Sequence, residues 1–238
     1  MVLTYSGKSK IGAQAIAEAS GGDIALNRGG RGDINWGRAR ANTSLNPDIS
    51  NVTNKRVMRE LFASHNVPMP KLVSKEFLLN GIHNFAVVGR PDTHTKGRGF
   101  WLCATPLGVA KAMHGTRKKR AATHFMEFIV APREYRVHIF KGKSIRISQK
   151  VFAYEDTPDG GMTIRNYVTG KPTHNINHVR AAAKKALDAV GLDFGAVDIL
   201  ANDSECWVLE VNAAPGLGGS MGRLYAQVFN EWEEGNWE

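Results

Sequence analysis

Two runs near the end of the chain, "GAVDILAND" (195–203) and "CWVLEVNAAPGL" (206–217), are apolar and β-branched on both sides of a few polar positions, the pattern of two strands. The Asn202–Asp203 step between them suits a tight connection. Ahead of them Ile176, Val179, Ala183, Ala186, Leu187 and Val190 recur at helical spacing, which predicts an amphipathic helix over about 175–190 that stops at Gly191. Val57, Leu61 and Phe62 predict an earlier helix, with Thr53 as candidate N-cap and "VPMP" as its stop. Strands are expected at 85–91, 99–105 and 124–130, with a helix at 106–114. Three more alternating runs follow, "EYRVHIFKG", "SIRISQKVFAYE" and "MTIRNYVTG", and a last helix is expected near 220–233. The sum is an α+β chain with no internal repeat.

Residues 1–48 stand apart. They are rich in Gly, Asn and Arg and hold one good apolar stretch, around Ile11 to Ala19. The expectation is a small, poorly cored module that leans on the rest or is buried against another subunit, which favours a homo-oligomer.

Composition narrows the classes. At 238 residues, 42% hydrophobic and 22% charged, the chain is long enough for one large domain or two small ones, with an ordinary soluble balance. It has no run approaching the roughly 18 apolar residues of a membrane span and no secretion signal at its start. Cys103 and Cys206 lie in apolar strand-like runs and read as small buried hydrophobes in a reducing compartment, so a cytoplasmic location is expected. The net charge of +9 favours phosphates, an acidic substrate or a polyanion. Part of it is the run Arg117, Lys118, Lys119 and Arg120, either a solvated surface or a cationic lip; aromatics do not interleave with it in sequence.

The candidate chemistry gathers at Asp198, Glu210 and Asn212. On adjacent antiparallel strands, two carboxylates and an amide oxygen would converge, and with no nearby Lys or Arg to neutralise them they would suit a hard cation such as Mg²⁺ on nucleotide phosphates. The alternative is a pair of edge-strand acids in solvent. "GRPDTHTKGRGF" places Arg90 at a strand end and Gly97 and Gly99 in a turn whose N–H groups can approach anionic oxygens, or else forms a plain hairpin. It is neither a P-loop nor a dinucleotide fingerprint. Glu127 and Glu134 flank "EFIVAPRE", a stretch that suits a linker between lobes or simple surface charge.

Taken together, Lys55 in "NKRVMRELFASHNVPMP", the flap "VVGRPDTHTKGRGFWL", the hinge "FMEFIVAPREYRVHIF" and "GAVDILANDSECWVLEVNAAPGL" stand in the order of the ATP-grasp superfamily. The chain most resembles the ribosomal-protein glutamate ligase type, over about 49–220. The resemblance implies two α+β lobes gripping ATP: a shortened N-terminal module (1–48), a small lobe with the phosphate flap (49–128) and a C-terminal lobe with the metal site (129–238). It implies that Lys55 and Arg90 contact phosphates, that Gly97 and Gly99 belong to the flap, that Glu127, Phe128 and Ile129 meet the adenine, and that Glu134 takes the ribose. Asp198, Glu210 and Asn212 would hold two Mg²⁺ ions, with Mn²⁺ as an alternative. Arg136 and the Arg165–Asn166 pair resemble residues facing the γ-phosphate and an acyl phosphate. Arg90 departs from the family's usual Lys, exchanging a compact ammonium for a planar fork, and "IRNY" departs in spacing from the ligases' Arg and Asn.

The implied activity is that of an ADP-forming carbon–nitrogen ligase: a carboxylate attacks the γ-phosphate, and an amine then attacks the acyl phosphate. Its partners would be ATP and an amino acid, peptide or protein, an acidic acceptor suiting the basic charge. The alternatives are a nucleic-acid-associated protein, by binding or by ligating an amino acid to a base, and a non-catalytic ATP-binding regulator. No membrane partner is expected.

Overall fold

The computed structural model describes residues 1–22, 24–80, 85–92, 99–150, 167–168, 176–218 and 220–237. Gly97, Arg165 and Asn166 lie outside them, as does most of "MTIRNYVTG".

The N-terminal module has one helix and three strands: β1 (Val2–Tyr5), α1 (Lys10–Ala19), β2 (Ala25–Asn27) and β3 (Ile34–Trp36). The strands form a parallel sheet in the order β2-β1-β3. The chain continues through a short helix α2 (Ser50–Thr53) into α3 (Lys55–Ser64). Asn54, not Thr53, caps α3: its side chain accepts from the amides of Arg56 and Val57, while the Thr53 hydroxyl donates back to Ser50 O.

An antiparallel sheet in the order β4-β7-β5-β6 follows, from β4 (Leu72–Val73), β5 (Val87–Arg90), β6 (Trp101–Cys103) and β7 (His124–Glu127). Helices α4 (Lys75–Asn80) and α5 (Pro106–His114) cover one face, where Leu78, Val87, Cys103, Val109, Ala112 and Phe125 form the core. Gly89 lies under Phe125, and a Cβ there would sit 2.7 Å from that ring.

The C-terminal lobe is a second antiparallel sheet, β8 (Arg133–Phe140), β9 (Lys143–Lys150), β10 (Tyr167–Val168), β11 (Phe194–Ala201) and β12 (Cys206–Asn212), in the order β10-β9-β8-β11-β12. Helix α6 (Asn177–Ala189) packs on one face, its Val179, Ala183, Ala186 and Leu187 meeting Val137, Val197 and Val208. The turn between β11 and β12 is built by Asn202, whose carboxamide oxygen accepts from the amides of Ser204 and Glu205. Ile49, Val52, Met58, Phe62 and Val67 belong to this lobe's core, so 49–67 packs with the C-terminal lobe; the small lobe's own sheet begins at Leu72.

The module at 1–48 is not poorly cored. Leu3, Ile16, Ile34, Trp36 and Leu45 share one core with Phe140 and Phe194 of the large sheet and with Tyr225 and Phe229 of α7 (Met221–Glu233). Trp36 stacks on Phe194 at 5.6 Å between centroids and meets Tyr225 edge-on at 5.1 Å. Gly222 lets α7 lie close on α1, where a Cβ would sit 3.0 Å from Ala15 O. The covering residues lie far along the chain, which is why the local sequence looked bare. The argument for a second subunit loses its basis, since the same chain provides the burial. Among the described residues, no helix is long and apolar enough to cross a membrane.

Candidate functional site

The open face of the C-terminal sheet carries a straight polar row across four strands: Ser148 on β9 pairs with Arg136 on β8, Arg136 with Asp198 on β11, and Asp198 with Glu210 on β12. A bulge makes the last pairing. Asp198 faces Glu210 while Ile199 already faces Val208, so Leu209 is the extra residue. Without that extra residue Leu209 would stand opposite Asp198, and the carboxylate of Glu210 would turn to the apolar face. Asn212, two residues on, lies on the same face opposite Ala196.

The side chains close on one another. Arg136 donates through Nε and Nη2 to both oxygens of Asp198 at 2.7 and 2.8 Å. The Asn212 amide lies 3.2 Å from Glu210 and 3.5 Å from Asp198. Lys55, the first residue of α3, reaches Glu210 Oε2 at 3.2 Å. Both acids thus have cationic partners, contrary to the expectation that their oxygens stand without a nearby Lys or Arg. Burial raises the Asp198 carboxyl above its ordinary value against the pull of Arg136, and Glu210 and Glu134 add to the rise. Burial opposes ionisation of Glu210 as well, but Lys55, the Asn212 amide and Arg90 outweigh it and bring its carboxyl down to about 2.

The small lobe turns its uncovered face to this row. Arg90, at the end of β5, is near enough for Glu210 to sustain its charge against burial, and His124 beside it on β7 is held below its usual value by burial and by Arg59. His124 also meets Asp92 at 3.2 Å. On the same face Leu72, Met126, Val88 and Leu102 line up across all four strands. Leu102 is 56% exposed and Leu72 49%, while Val88 and Met126 between them are buried, so the apolar strip is open at its two ends. Phe128 continues it at 41% exposure, its amide bonded to Ala86 O.

The structure therefore brings Lys55, Arg90, Arg136, Asp198, Glu210 and Asn212 together. Glu134 is one row away and engaged by Lys150 at 2.8 Å. Glu127 pairs with Val87, so its side chain leaves β7 on the helix-covered face, and Phe128, not Glu127, presents its side chain to the cleft; Ile129 is half-buried just beyond. Gly99 has φ +81°, and a Cβ there would lie 2.8 Å from Pro91. The basic run folds back on β6: Lys119 lies over Trp101, 4.2 Å from the ring centroid, and the Trp101 indole donates to Arg120 O. The aromatic that the local sequence lacks arrives from another strand, with one ring face already covered by Lys119.

Sequence reasoning missed Arg59, Lys150, Ser148 and the apolar strip. Arg59 had a signal, standing four residues after Lys55 on the same helix face; the strip had none before strand pairing was known.

Two carboxylates and an amide fit a hard, oxygen-seeking cation. Among the described residues no three His, Cys, Asp or Glu side chains cluster for a metal, so a third side-chain donor beside Asp198 and Glu210 would have to be the Asn212 amide. A half-turn of that amide exchanges its nitrogen for its oxygen. Two protein carboxylates, an amide and phosphate oxygens are an octahedral ion's usual mixture.

No protein-family model and no curated protein matches the chain. Solved structures do. The ATP-grasp ligase PsnB, complexed with a minimal precursor, is 15% identical with a TM-score of 0.67, covering 99% of each chain. The D-alanine–D-alanine ligase of Bacillus anthracis is 12% identical with a TM-score of 0.67, over 99% of this chain and 98% of that one. A RimK-domain ATP-grasp protein from Sphaerobacter thermophilus is 14% identical with a TM-score of 0.62, over 95% of this chain and 98% of that one. The chain has the ATP-grasp fold: α+β, with two antiparallel sheets and an N-terminal module.

Proposed function

We propose that this protein is an ATP- and Mg²⁺-dependent carboxylate–amine ligase, forming an amide or peptide bond through an acyl phosphate and releasing ADP. The observation that carries this reading is the convergence of Asp198, Glu210 and Asn212 with Lys55 and with Arg90 of the small lobe, whose same face also carries the apolar strip. An anionic tail suits the first and a nucleobase the second.

In this reading the strip of Leu72, Met126, Val88 and Leu102, with Phe128, holds the base. Lys55 and Arg90 hold phosphate oxygens, Glu134 with Lys150 stands on the ribose side, and Gly99 belongs to the phosphate flap. Asp198, Glu210 and Asn212 would hold Mg²⁺, which neutralises phosphate charge when bound. A substrate carboxylate oxygen attacks the γ-phosphorus, and the bond to the ADP oxygen breaks. An amine nitrogen then attacks the acyl carbon, phosphate leaves, and the nitrogen loses a proton. Arg136, locked to Asp198, offers a fixed positive charge beside the transferring group at no cost in reorganisation. No side-chain nucleophile is required.

The acceptor is a separate matter. PsnB is solved with a precursor peptide and AMPPNP, and the Bacillus anthracis ligase with ATP. An amino acid, peptide or protein tail is the proposed substrate class here, with the net charge of +9 suiting an acidic one. The N-terminal module borders the loop after Asn212, where a Cβ on Gly37 would lie 3.0 Å from Ala214 Cβ, and this closeness supports a part for it in selecting the acceptor. The two free, buried thiols suit a reducing, ATP-rich compartment such as the cytoplasm.

The test is ADP release with pools of amino acids and peptides, with and without Mg²⁺. Mg²⁺-dependent turnover that disappears in Glu210→Ala supports the reading; tight ATP binding without turnover on any pool returns the protein to the non-catalytic alternative.

A further inference from the structure

Arg59 is 6% exposed, yet among the described residues its guanidinium makes one hydrogen bond, from Nη2 to Leu209 O at 3.2 Å. That carbonyl belongs to the extra residue of the β12 bulge. Among the described residues, Nε and Nη1 are buried without a hydrogen-bond partner. The surroundings do not compensate: Arg90 repels the group and Glu210 attracts it, while burial is the largest influence and lowers it to about 10, so it stays charged at neutral pH. Glu210 already serves Lys55 at 3.2 Å, and the neighbouring Asp198 is occupied by Arg136.

Three cations, Lys55, Arg59 and Arg90, thus surround one carboxylate. A staple between α3 and β12 would not require this. One bond to a neutral carbonyl does not offset a buried guanidinium with Nε and Nη1 both unpartnered beside another arginine. Such a group makes sense where an anion arrives. Nε and Nη1 point from different edges of the guanidinium, so its free donors suit separate oxygens along an anionic chain.

We propose that Arg59 is a phosphate ligand: through Nε and Nη1 it binds the polyphosphate tail of the nucleotide, completing a three-cation cradle with Lys55 and Arg90. The nucleotide identity of that anion rests on the function proposed above; the anion site itself rests on Arg59.

The experiment is equilibrium binding of ATP, ADP, adenosine and inorganic tripolyphosphate to the full chain with Mg²⁺, comparing wild type with Arg59→Met and Arg59→Lys, together with urea unfolding of each protein without ligand. Methionine keeps the apolar stem and removes the charge. Arg59→Met is expected to lose about ten- to a hundredfold in affinity for ATP and tripolyphosphate. Its affinity for adenosine should stay within about twofold, its unliganded stability should be equal or higher, and Arg59→Lys should fall between. A structural staple predicts the reverse: lower stability without ligand, and adenosine weakened in proportion to ATP. That outcome, or unchanged ATP affinity in Arg59→Met, overturns the proposal and leaves the nucleotide reading standing. Wild type that binds tripolyphosphate through Arg59 but not ATP keeps the proposal and sinks the nucleotide reading, and binding of neither sinks both.

Discussion

Arg136 holds Asp198 through two parallel hydrogen bonds of 2.7 and 2.8 Å, across directly paired positions of β8 and β11. The Asp198 side chain is 8% exposed, so the pair is a buried ion pair whose partners have little water to fall back on. Breaking it from one side should cost far more than removing it whole. Arg136→Met is expected to destabilise the protein by about 3–5 kcal/mol, and Asp198→Asn added to it should recover much of that loss. Urea unfolding of the two single variants and the double variant measures the difference.

Acid should unfold the protein in two overlapping stages. His138 is buried against Tyr225, 3.0 Å from its hydroxyl, and burial lowers its imidazole from 6.5 to about 3. Below pH 6.5 the unfolded chain takes up a proton that the folded ring refuses until about pH 3, so stability falls across that window as pH drops. The loss should reach about 2 kcal/mol at pH 5. Glu210 adds a later loss: its folded carboxyl lies at about 2, below the ordinary 4.5, so its contribution is complete above 4.5 and disappears as pH falls toward 2. Urea midpoints between pH 7.5 and 2 follow both, and His138→Gln should remove most of the early stage, leaving the part that His124 adds and the later stage.

Trp36 joins three parts of the chain, touching Phe194, Tyr225 and Phe229. Trp36→Ala should cost about 3–5 kcal/mol. The damage should show first as protease cleavage within residues 1–48, because Trp36 joins that module to α7 and the end of the large sheet. Limited proteolysis with mass analysis of the fragments reads it.

The cap of α3 aims Lys55 at Glu210. Asn54→Ala should cost about 1 kcal/mol by losing the bonds to the amides of Arg56 and Val57, and it should weaken ATP binding by fraying the turn that carries Lys55. Thr53→Ala should stay within about 0.5 kcal/mol. Thermal unfolding and nucleotide titration of both variants separate the two positions.

The sequence by itself determined the elements and the order of the chemistry. The 3.6-residue pattern at 176–190 and the β-branched runs around Asp198 and Glu210 are local signals, since each side chain's burial follows from its neighbours in the chain. Asp198 and Glu210, with Asn212 beside them, stood out because a carboxylate inside an apolar strand is costly without a purpose; Arg90 stood out by its place before a glycine turn, and Lys55 only through the family resemblance. Tertiary structure alone decided the rest. The bulge at Leu209 sets which residue faces Asp198, and it depends on pairing between strands. Arg136 and Lys55 became partners of the acids through β8 and α3, 62 and 155 positions away, by 198 − 136 and 210 − 55. The strip of Leu72, Met126, Val88 and Leu102 draws on four strands, and the core over Trp36 on two distant segments. Periodicity states which face of an element is apolar; only packing states what that face meets.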